Sequence, residues 1–378
     1  MDPASVSIRL NPFKGLDGPD GAPVPWSPYG RILAERPQFI LDPLLHAGCY
    51  YVQDSSAMFV GHLLRKALDL FGPGVRVLDL CAAPGGKTTD AAASLRERFG
   101  NDFTLVANEV MKARAAVLLD NVALWGDPAV TVTSVDPAVI GRSMPGAFDV
   151  IIADVPCSGE GMFRKDPRAV EEWSPELVTI CAARQKRILG DVWPALREGG
   201  VLIYSTCTYE DAENDSNLLW ASRELGGDII PPLDEFSAYG VRLTSCGSLL
   251  KAGEVPGEGQ WGGMMVKTAP QARAKRFDAS ALRPLRSGTP APVQKGREFI
   301  PHPDAVLGID FDRTAFPEAE ADLDTALRFL HRDTIVLPQA PLGYNVITYK
   351  GHPLGMVKNL GKRCNNLLPP GRRILKDV

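Results

Sequence analysis

The sequence predicts an α/β protein built on a mostly parallel sheet, with a smaller α+β domain following it. Three observations carry this reading. Short apolar runs alternate with helical stretches from residue 75 to residue 225. The run FDVIIA at 148–153 is apolar almost throughout, as a strand covered on both faces should be. A glycine-rich turn stands between the first run and the first helix of the series.

In chain order, VRVLDL (75–80) reads as a strand and 88–99, rich in Ala and Leu, as a helix. Residues 103–107 are a second strand, 112–124 a helix, and 129–134 a third strand. After the strand at 148–153 comes a long helix over 177–196, stopped at Gly199-Gly200, then the strand VLIYST at 201–206 and helical character over 211–225. Residues 269–300 are rich in Pro, Ala, Arg and Lys without periodicity, and read as a basic linker or partly ordered arm. Beyond it, 304–330 looks helical in its second half, and 334–337 and 344–349 look like strands.

Composition narrows the class. The chain has 378 residues, 45% of them hydrophobic and 23% charged, which fits a globular protein of two or three domains. No secretory signal pattern stands at the N-terminus and no run is long enough to span a bilayer, so a cytoplasmic protein is expected. Seven cysteines without C-x-x-C spacing, and five histidines without ligand spacing, suggest neither a disulfide framework nor a metal site. A net charge of −4 does not advertise a nucleic-acid binder, but phosphate contacts depend on local patches. The segment from Lys267 through Arg297 and the stretch after Tyr344 are both locally basic.

The turn Cys81-Ala82-Ala83-Pro84-Gly85-Gly86-Lys87-Thr88 offers small residues and a helix N-terminus to a ligand. It ends like a phosphate-binding P-loop. However, Cys81 stands where that motif needs its first glycine, and Pro84 removes an N–H from the cradle. Glu109 follows the second strand, where an acid is placed for ribose hydroxyls; Asp136 follows the third and Asp154 the fourth. Acids gathered at the carboxyl edge of one sheet, beside a glycine turn, suggest a nucleoside cofactor. The absence of G-x-G-x-x-G argues against a nicotinamide. Cys157 and Cys207 each lie just past the end of a strand on that same edge, in DVPCSGEG and STCT. For either alone a structural role is as good a reading; two together favour chemistry.

LDLCAAPGGKT, DVPCSGEG and YSTCT resemble the signature motifs of the NOL/NOP/Sun family of RNA cytosine-5 methyltransferases. The likeness extends to Ser7–Pro12, to 51–58, to Met162-Phe163-Arg164-Lys165-Asp166-Pro167 and to Gly257-Glu258-Gly259. The tail, Leu354-Gly355 through Asn365–Pro369, resembles the RNA-binding extension of the bacterial small-subunit rRNA branch. Departures are Val155, where the family usually has Ala, and Gln260-Trp261-Gly262-Gly263, which replaces a more aromatic stretch.

The resemblance implies a Rossmann-like class I methyltransferase sheet over 71–268, an N-terminal RNA-binding or flanking region over 1–70, and a PUA-like RNA-binding domain over 301–378. It implies S-adenosylmethionine as cofactor, with Cys81 to Lys87 around its methionine and ribose, Glu109 on the ribose hydroxyls, and Asp136 by the adenine. Cys207 is implied as the nucleophile at cytosine carbon 6. Asp154 would bond the base at N3, and Cys157 would assist loss of the carbon 5 proton and product release. DNA cytosine-5 methyltransferases use the Pro-Cys cysteine as nucleophile, which leaves Cys157 as the alternative. RNA is the expected partner, either rRNA of the small ribosomal subunit or tRNA. A paired cytosine hides its carbon 6 face, so the target is unpaired or flipped out. Arg164, Lys165 and Arg168 beside the catalytic loop, and Lys358, Lys362 and Arg363 in the tail, are candidate RNA contacts; a solvated charged surface is the competing reading.

Overall fold

The computed structural model describes residues 5–164, 167–232, 234–296 and 298–376. Lys165, one of the candidate RNA contacts, lies outside them. The centre is a nine-stranded sheet. Five strands are parallel, in the spatial order Val130–Thr133, Phe103–Asn108, Val75–Asp79, Phe148–Asp154, Leu196–Thr206. Gln260–Lys267 joins antiparallel beside the last of these, and Gly227–Ile230 and Gly247–Leu250 pair with it in turn. Chain order reverses between Val75–Asp79 and Phe148–Asp154, which opens a crevice at the carboxyl edge between them. The strand Phe148–Asp154 is buried over its first six residues, in keeping with its apolar run.

The helices follow the expected positions, with ends set by local chemistry. Gly86–Phe99 and Lys112–Trp125 stop at Gly100 and Gly126, both with positive φ. The long helix is Pro175–Val192 and not 177–196. Ser174 accepts from Leu177 N at 3.1 Å and starts it early. Pro194 has no N–H to continue the helical ladder, and the chain passes into a single 3-10 turn over Trp193–Ala195. Residues 334–337, expected as a strand, form none; the segment lies over the core with Ile335 buried, and its carbonyls accept from Cys364 N at 3.0 Å, from Arg328 at 2.7 Å and from Asn359 Nδ2 at 3.1 Å.

Two further sheets were not evident in the sequence pattern as a pair. The first has strands Ala22–Val24, Ser27–Leu33, Val6–Leu10 and Tyr50–Tyr51. The second has Glu318–Glu320, Gly343–Tyr349, His352–Asn359 and Cys364–Asn366, with helix Leu323–His331 packed on it. They share one hydrophobic core: Ile8, Leu10 and Tyr50 pack in the same cluster as Phe329, Leu330 and Ile347. The N-terminal sheet also reaches the central domain. Arg9, fully buried, donates to Gly86 O at 3.1 Å and to Gln53 Oε1 at 3.0 Å, with its guanidinium over the Trp125 ring. Lys14 Nζ donates to Ala47 O and Leu124 O, each at 2.7 Å. A cation there meets the carbonyl ends of two helices.

The basic stretch before the C-terminal domain is not a detached arm. Leu282 is fully buried, and Arg286 forms a bridge with Val132 on the outer parallel strand. Three of the cations from Lys267 onward are consumed within the fold, while Lys275, Arg276, Arg283 and Lys295 are exposed. Lys267 Nζ donates to Trp193 O and Leu196 O, Arg273 pairs with Asp149, and Arg286 pairs with Asp304. Burial alone would raise the Asp149 carboxyl, but hydrogen bonds from Arg273 and Arg197, and from Arg76 N, hold it below the usual range. Asp149→Ala should therefore destabilise the protein by about 2 kcal/mol. That is below the roughly 3–5 kcal/mol typical of a broken buried pair, because Arg273 is 43% exposed. A depressed carboxyl stabilises above its unfolded value, near pH 3.9, and this contribution is lost as pH falls through the folded value. Denaturant melts should show the difference between variant and wild type at pH 7, shrinking in strong acid. Among the described residues, no helix is long and apolar enough to cross a membrane.

Candidate active site

Three strand ends build the site. Val75–Asp79 delivers the glycine turn, Phe148–Asp154 delivers Asp154 and Cys157, and Leu196–Thr206 delivers Cys207. In the turn, Gly85 has φ 117°, a conformation that favours glycine, and the helix Gly86–Phe99 begins directly after it. Lys87 leaves the first turn of that helix and its Nζ lies 2.7 Å from Asp154 Oδ2. Burial works against the Lys87 ammonium, but the pairing with Asp154 outweighs it and holds the amine charged. The other Asp154 oxygen accepts from Ser205 Oγ at 2.7 Å and Gln260 Nε2 at 3.1 Å. The carboxylate is thus fixed from three sides.

Cys157 Sγ and Cys207 Sγ stand 3.0 Å apart, and all seven cysteines are free thiols. The two are unequal. Cys207 is lowered, first by the hydrogen bond from Cys157; burial and the Asp154 charge oppose this and Lys87 supports it. Cys157 is raised, first by that same hydrogen bond and then by burial. Within this hydrogen-bonded pair the negative charge is favoured on Cys207 over Cys157. Cys81, on the same edge, is pushed up by burial and by the neighbouring acids, and stays a thiol. The backbone around the pair is close-packed: Gly161 N donates to Cys207 O at 2.7 Å, and a Cβ at Gly161 would fall 2.9 Å from that oxygen.

A cleft of about 210 Å³ opens next to the turn, lined among others by Cys81, Asn108, Glu109, Asp136 and Pro156. Glu109 Oε1 accepts from Met111 N at 2.9 Å. Its Oε2 is buried without a hydrogen bond, with Arg114 Nη1 at 3.4 Å. Asp79 accepts from Thr88 Oγ1 at 2.6 Å through one oxygen while the other is buried and unpartnered; burial pushes its carboxyl up to about 7. The Asp79 oxygen lacks a donor altogether, and the Glu109 oxygen has the Arg114 charge but no hydrogen bond. A ligand with hydroxyl and ammonium groups, such as S-adenosylmethionine, has donors for both. Asp136 is exposed at the mouth, and one of its oxygens caps the helix Pro137–Ser143 at Ala138 N. Among the described residues, no group of three or more His, Cys, Asp and Glu side chains is placed to hold a metal ion.

The structure thus brings Cys81–Lys87, Glu109, Asp136, Asp154, Cys157 and Cys207 to one edge. The candidate RNA contacts are less uniform. Arg164 is tied into the site wall: its guanidinium forms two bonds to buried Glu258, at 2.7 and 3.1 Å, and one to Gly257 O at 2.7 Å. Arg168 is exposed on the short helix Pro167–Glu172. Lys358 pairs with Glu298 and lies over the Tyr344 ring, while Lys362 and Arg363 are exposed in the turn after His352–Asn359. Sequence reasoning missed Ser205 and Gln260 on Asp154, and also Glu213 beneath Cys157. Nothing in the run Glu210-Asp211-Ala212-Glu213 marks the last as the fully buried one.

Comparison with known proteins agrees with this architecture. The family described as 16S rRNA methyltransferase RsmB/F matches residues 70–222, and the family described as Methyltransferase RsmF PUA domain matches residues 316–374. Ribosomal RNA small subunit methyltransferase F of Shigella dysenteriae serotype 1 is 30% identical over 450 aligned positions, covering 99% of this chain and 91% of that protein. The protein of the same name from Escherichia coli is similar to the same degree and extent. Among solved structures, a methyltransferase homolog protein from Pyrococcus horikoshii is 26% identical with a TM-score of 0.57, covering 70% of this chain and 87% of that one. NSun6 from the same organism, solved with SFG, shares the fold at 23% identity and a TM-score of 0.50, over 64% of this chain and 58% of that one. The chain belongs to the RsmB/F family of S-adenosylmethionine-dependent 16S rRNA methyltransferases, and its C-terminal sheet is an RNA-binding PUA domain.

Proposed function

We propose that this enzyme methylates carbon 5 of a cytosine in 16S rRNA through a covalent bond between Cys207 and carbon 6. The observation that carries the reading is the thiol pair at 3.0 Å, one sulfur lowered and the other raised, beside the Lys87–Asp154 ion pair. Carbon 5 of cytosine is a poor nucleophile until a thiolate adds at carbon 6 and pushes electron density toward it. The cofactor supplies an electrophilic methyl group on a sulfonium. Cys81 to Lys87, Glu109 and Asp136 would hold that cofactor, and the Glu109 oxygen without a hydrogen bond would accept from its hydroxyls.

Cys207 attacks as thiolate while Asp154, fixed by Lys87, Ser205 and Gln260, faces N3 and stabilises the adduct. After methylation the carbon 5 proton passes to water, and the C–H electron pair forms the C5–C6 double bond. The carbon–sulfur bond breaks with its electrons returning to Cys207. Cys157 S–H, 3.0 Å from Cys207 Sγ in the resting pair, donates to that departing thiolate. One proton is released and both cysteines are restored. The free cysteines suit a reducing, cytoplasmic setting.

The direct test is nucleoside mass spectrometry of RNA treated with enzyme and methyl-labelled cofactor. Label in 5-methylcytidine from 16S rRNA is expected. Label on another base, or on a ribose, would overturn the chemistry. Label in tRNA but not in rRNA would overturn the substrate while leaving the chemistry standing.

A further inference from the structure

We propose that Glu213 is a positioning residue that holds Cys157 against Cys207 and so sets the rate at which methylated RNA is released, an assignment that rests on the covalent Cys207 reading. Glu213 and Gln185 are both fully buried. The Glu213 carboxylate accepts from Ser158 N at 3.1 and 3.3 Å and from Gln185 Nε2 at 2.6 Å. The same Gln185 nitrogen donates to Pro156 O at 3.0 Å. The peptide groups on both sides of Cys157 are therefore clamped by this one side-chain pair. Tyr204 secures the pair from below, its hydroxyl donating to Glu213 O at 2.6 Å and lying 3.0 Å from Gln185 Oε1.

Cys207 is held by other means. It follows the strand Leu196–Thr206, whose last residue donates from Oγ1 to Asn214 Oδ1 and whose Thr206 O accepts from Gln260 Nε2 at 2.8 Å. Its own carbonyl is held by Gly161 N. Loosening Glu213 therefore moves Cys157 more than Cys207. A shift of about 1 Å is enough to spoil a proton donor while leaving the attacking sulfur in place. The Glu213 charge also disfavours a second thiolate at Cys157, which keeps the donor proton on that sulfur.

The test compares wild type, Glu213→Gln and Cys157→Ala in single-turnover methyl transfer, steady-state turnover, and adduct on a denaturing gel, with melting temperature and cofactor binding as controls. Glu213→Gln should transfer the first methyl group within about threefold of wild type, yet turn over about tenfold more slowly and accumulate RNA-linked protein, a fraction of the 10²–10⁴ attributed to a whole acid–base group. A merely structural lesion would lower both rates together without adduct, and that result overturns the proposal. If Cys157→Ala traps RNA and Glu213→Gln does not, the positioning role is wrong while the covalent reading survives. If neither traps RNA, the covalent reading falls and takes this one with it. Should Glu213→Gln melt below the assay temperature, Gln185→Met cuts the same clamp from its other side and is read by the same criteria.

Discussion

Cys207→Ala should transfer no detectable methyl group to 16S rRNA, a loss of at least about 10⁴-fold, while still binding cofactor. Removing the thiolate removes the proposed route by which carbon 5 becomes nucleophilic, and Cys157 does not substitute: without its hydrogen bond to Cys207, burial and the Glu213 charge still raise its thiol. Cys157→Ala should behave in the opposite manner. Its attacking sulfur remains, but the departing thiolate loses its donor, so protein and RNA should migrate together on a denaturing gel. If Cys157→Ala is inert and Cys207→Ala methylates, the roles are exchanged, as in the DNA-type assignment.

Lys87→Met should carry the second large effect, about 10²-fold at neutral pH. Cys207 is lowered first by Cys157 and also by the Lys87 charge, against burial and Asp154. With the cation gone, the thiol rises, and at a fixed pH less of it is thiolate. The rising limb of the pH–rate profile should then move to higher pH, and raising the pH should recover much of the loss. Asp154 keeps Ser205 and Gln260, so its orientation survives the substitution. An unmoved profile with a uniformly lower rate would show that Lys87 acts on cofactor binding alone. Alkylation with iodoacetamide provides an independent check, since Cys207 should react before Cys157 in the wild type and lose that lead in Lys87→Met.

The parallel sheet and its edge were legible because their signals are local. An apolar run such as 148–153 needs no partner to identify it, and cysteines after two strand ends fall on one edge once the strands are parallel. The antiparallel strand Gln260–Lys267 was harder. Its two central glycines and its Gln break the apolar pattern, and its eight residues are held by pairing on both sides with distant segments. The basic stretch misled for a related reason. Arg273 and Arg286 look like a phosphate-binding face in sequence, but their partners Asp149 and Asp304 lie 124 and 18 residues away. Glu213 is the sharpest case: burial separates it from exposed Asp211 two residues earlier, and burial is a property of the packed fold.

The core shared by the first and last sheets has a consequence for how the polypeptide is made. Synthesis delivers Ile8, Leu10 and Tyr50 early, but Phe329, Leu330 and Ile347, against which they pack, arrive some three hundred residues later. At elongation rates of about 5–20 residues per second, that gap leaves the opening strands without their apolar cover for about 15 to 60 seconds. The central sheet, whose five parallel strands lie between residues 75 and 206, has its own contacts in hand long before then. Catalytic and docking parts of the molecule thus receive their packing partners in a fixed order along the chain. The nascent N-terminal sheet is the portion that a holding chaperone would meet.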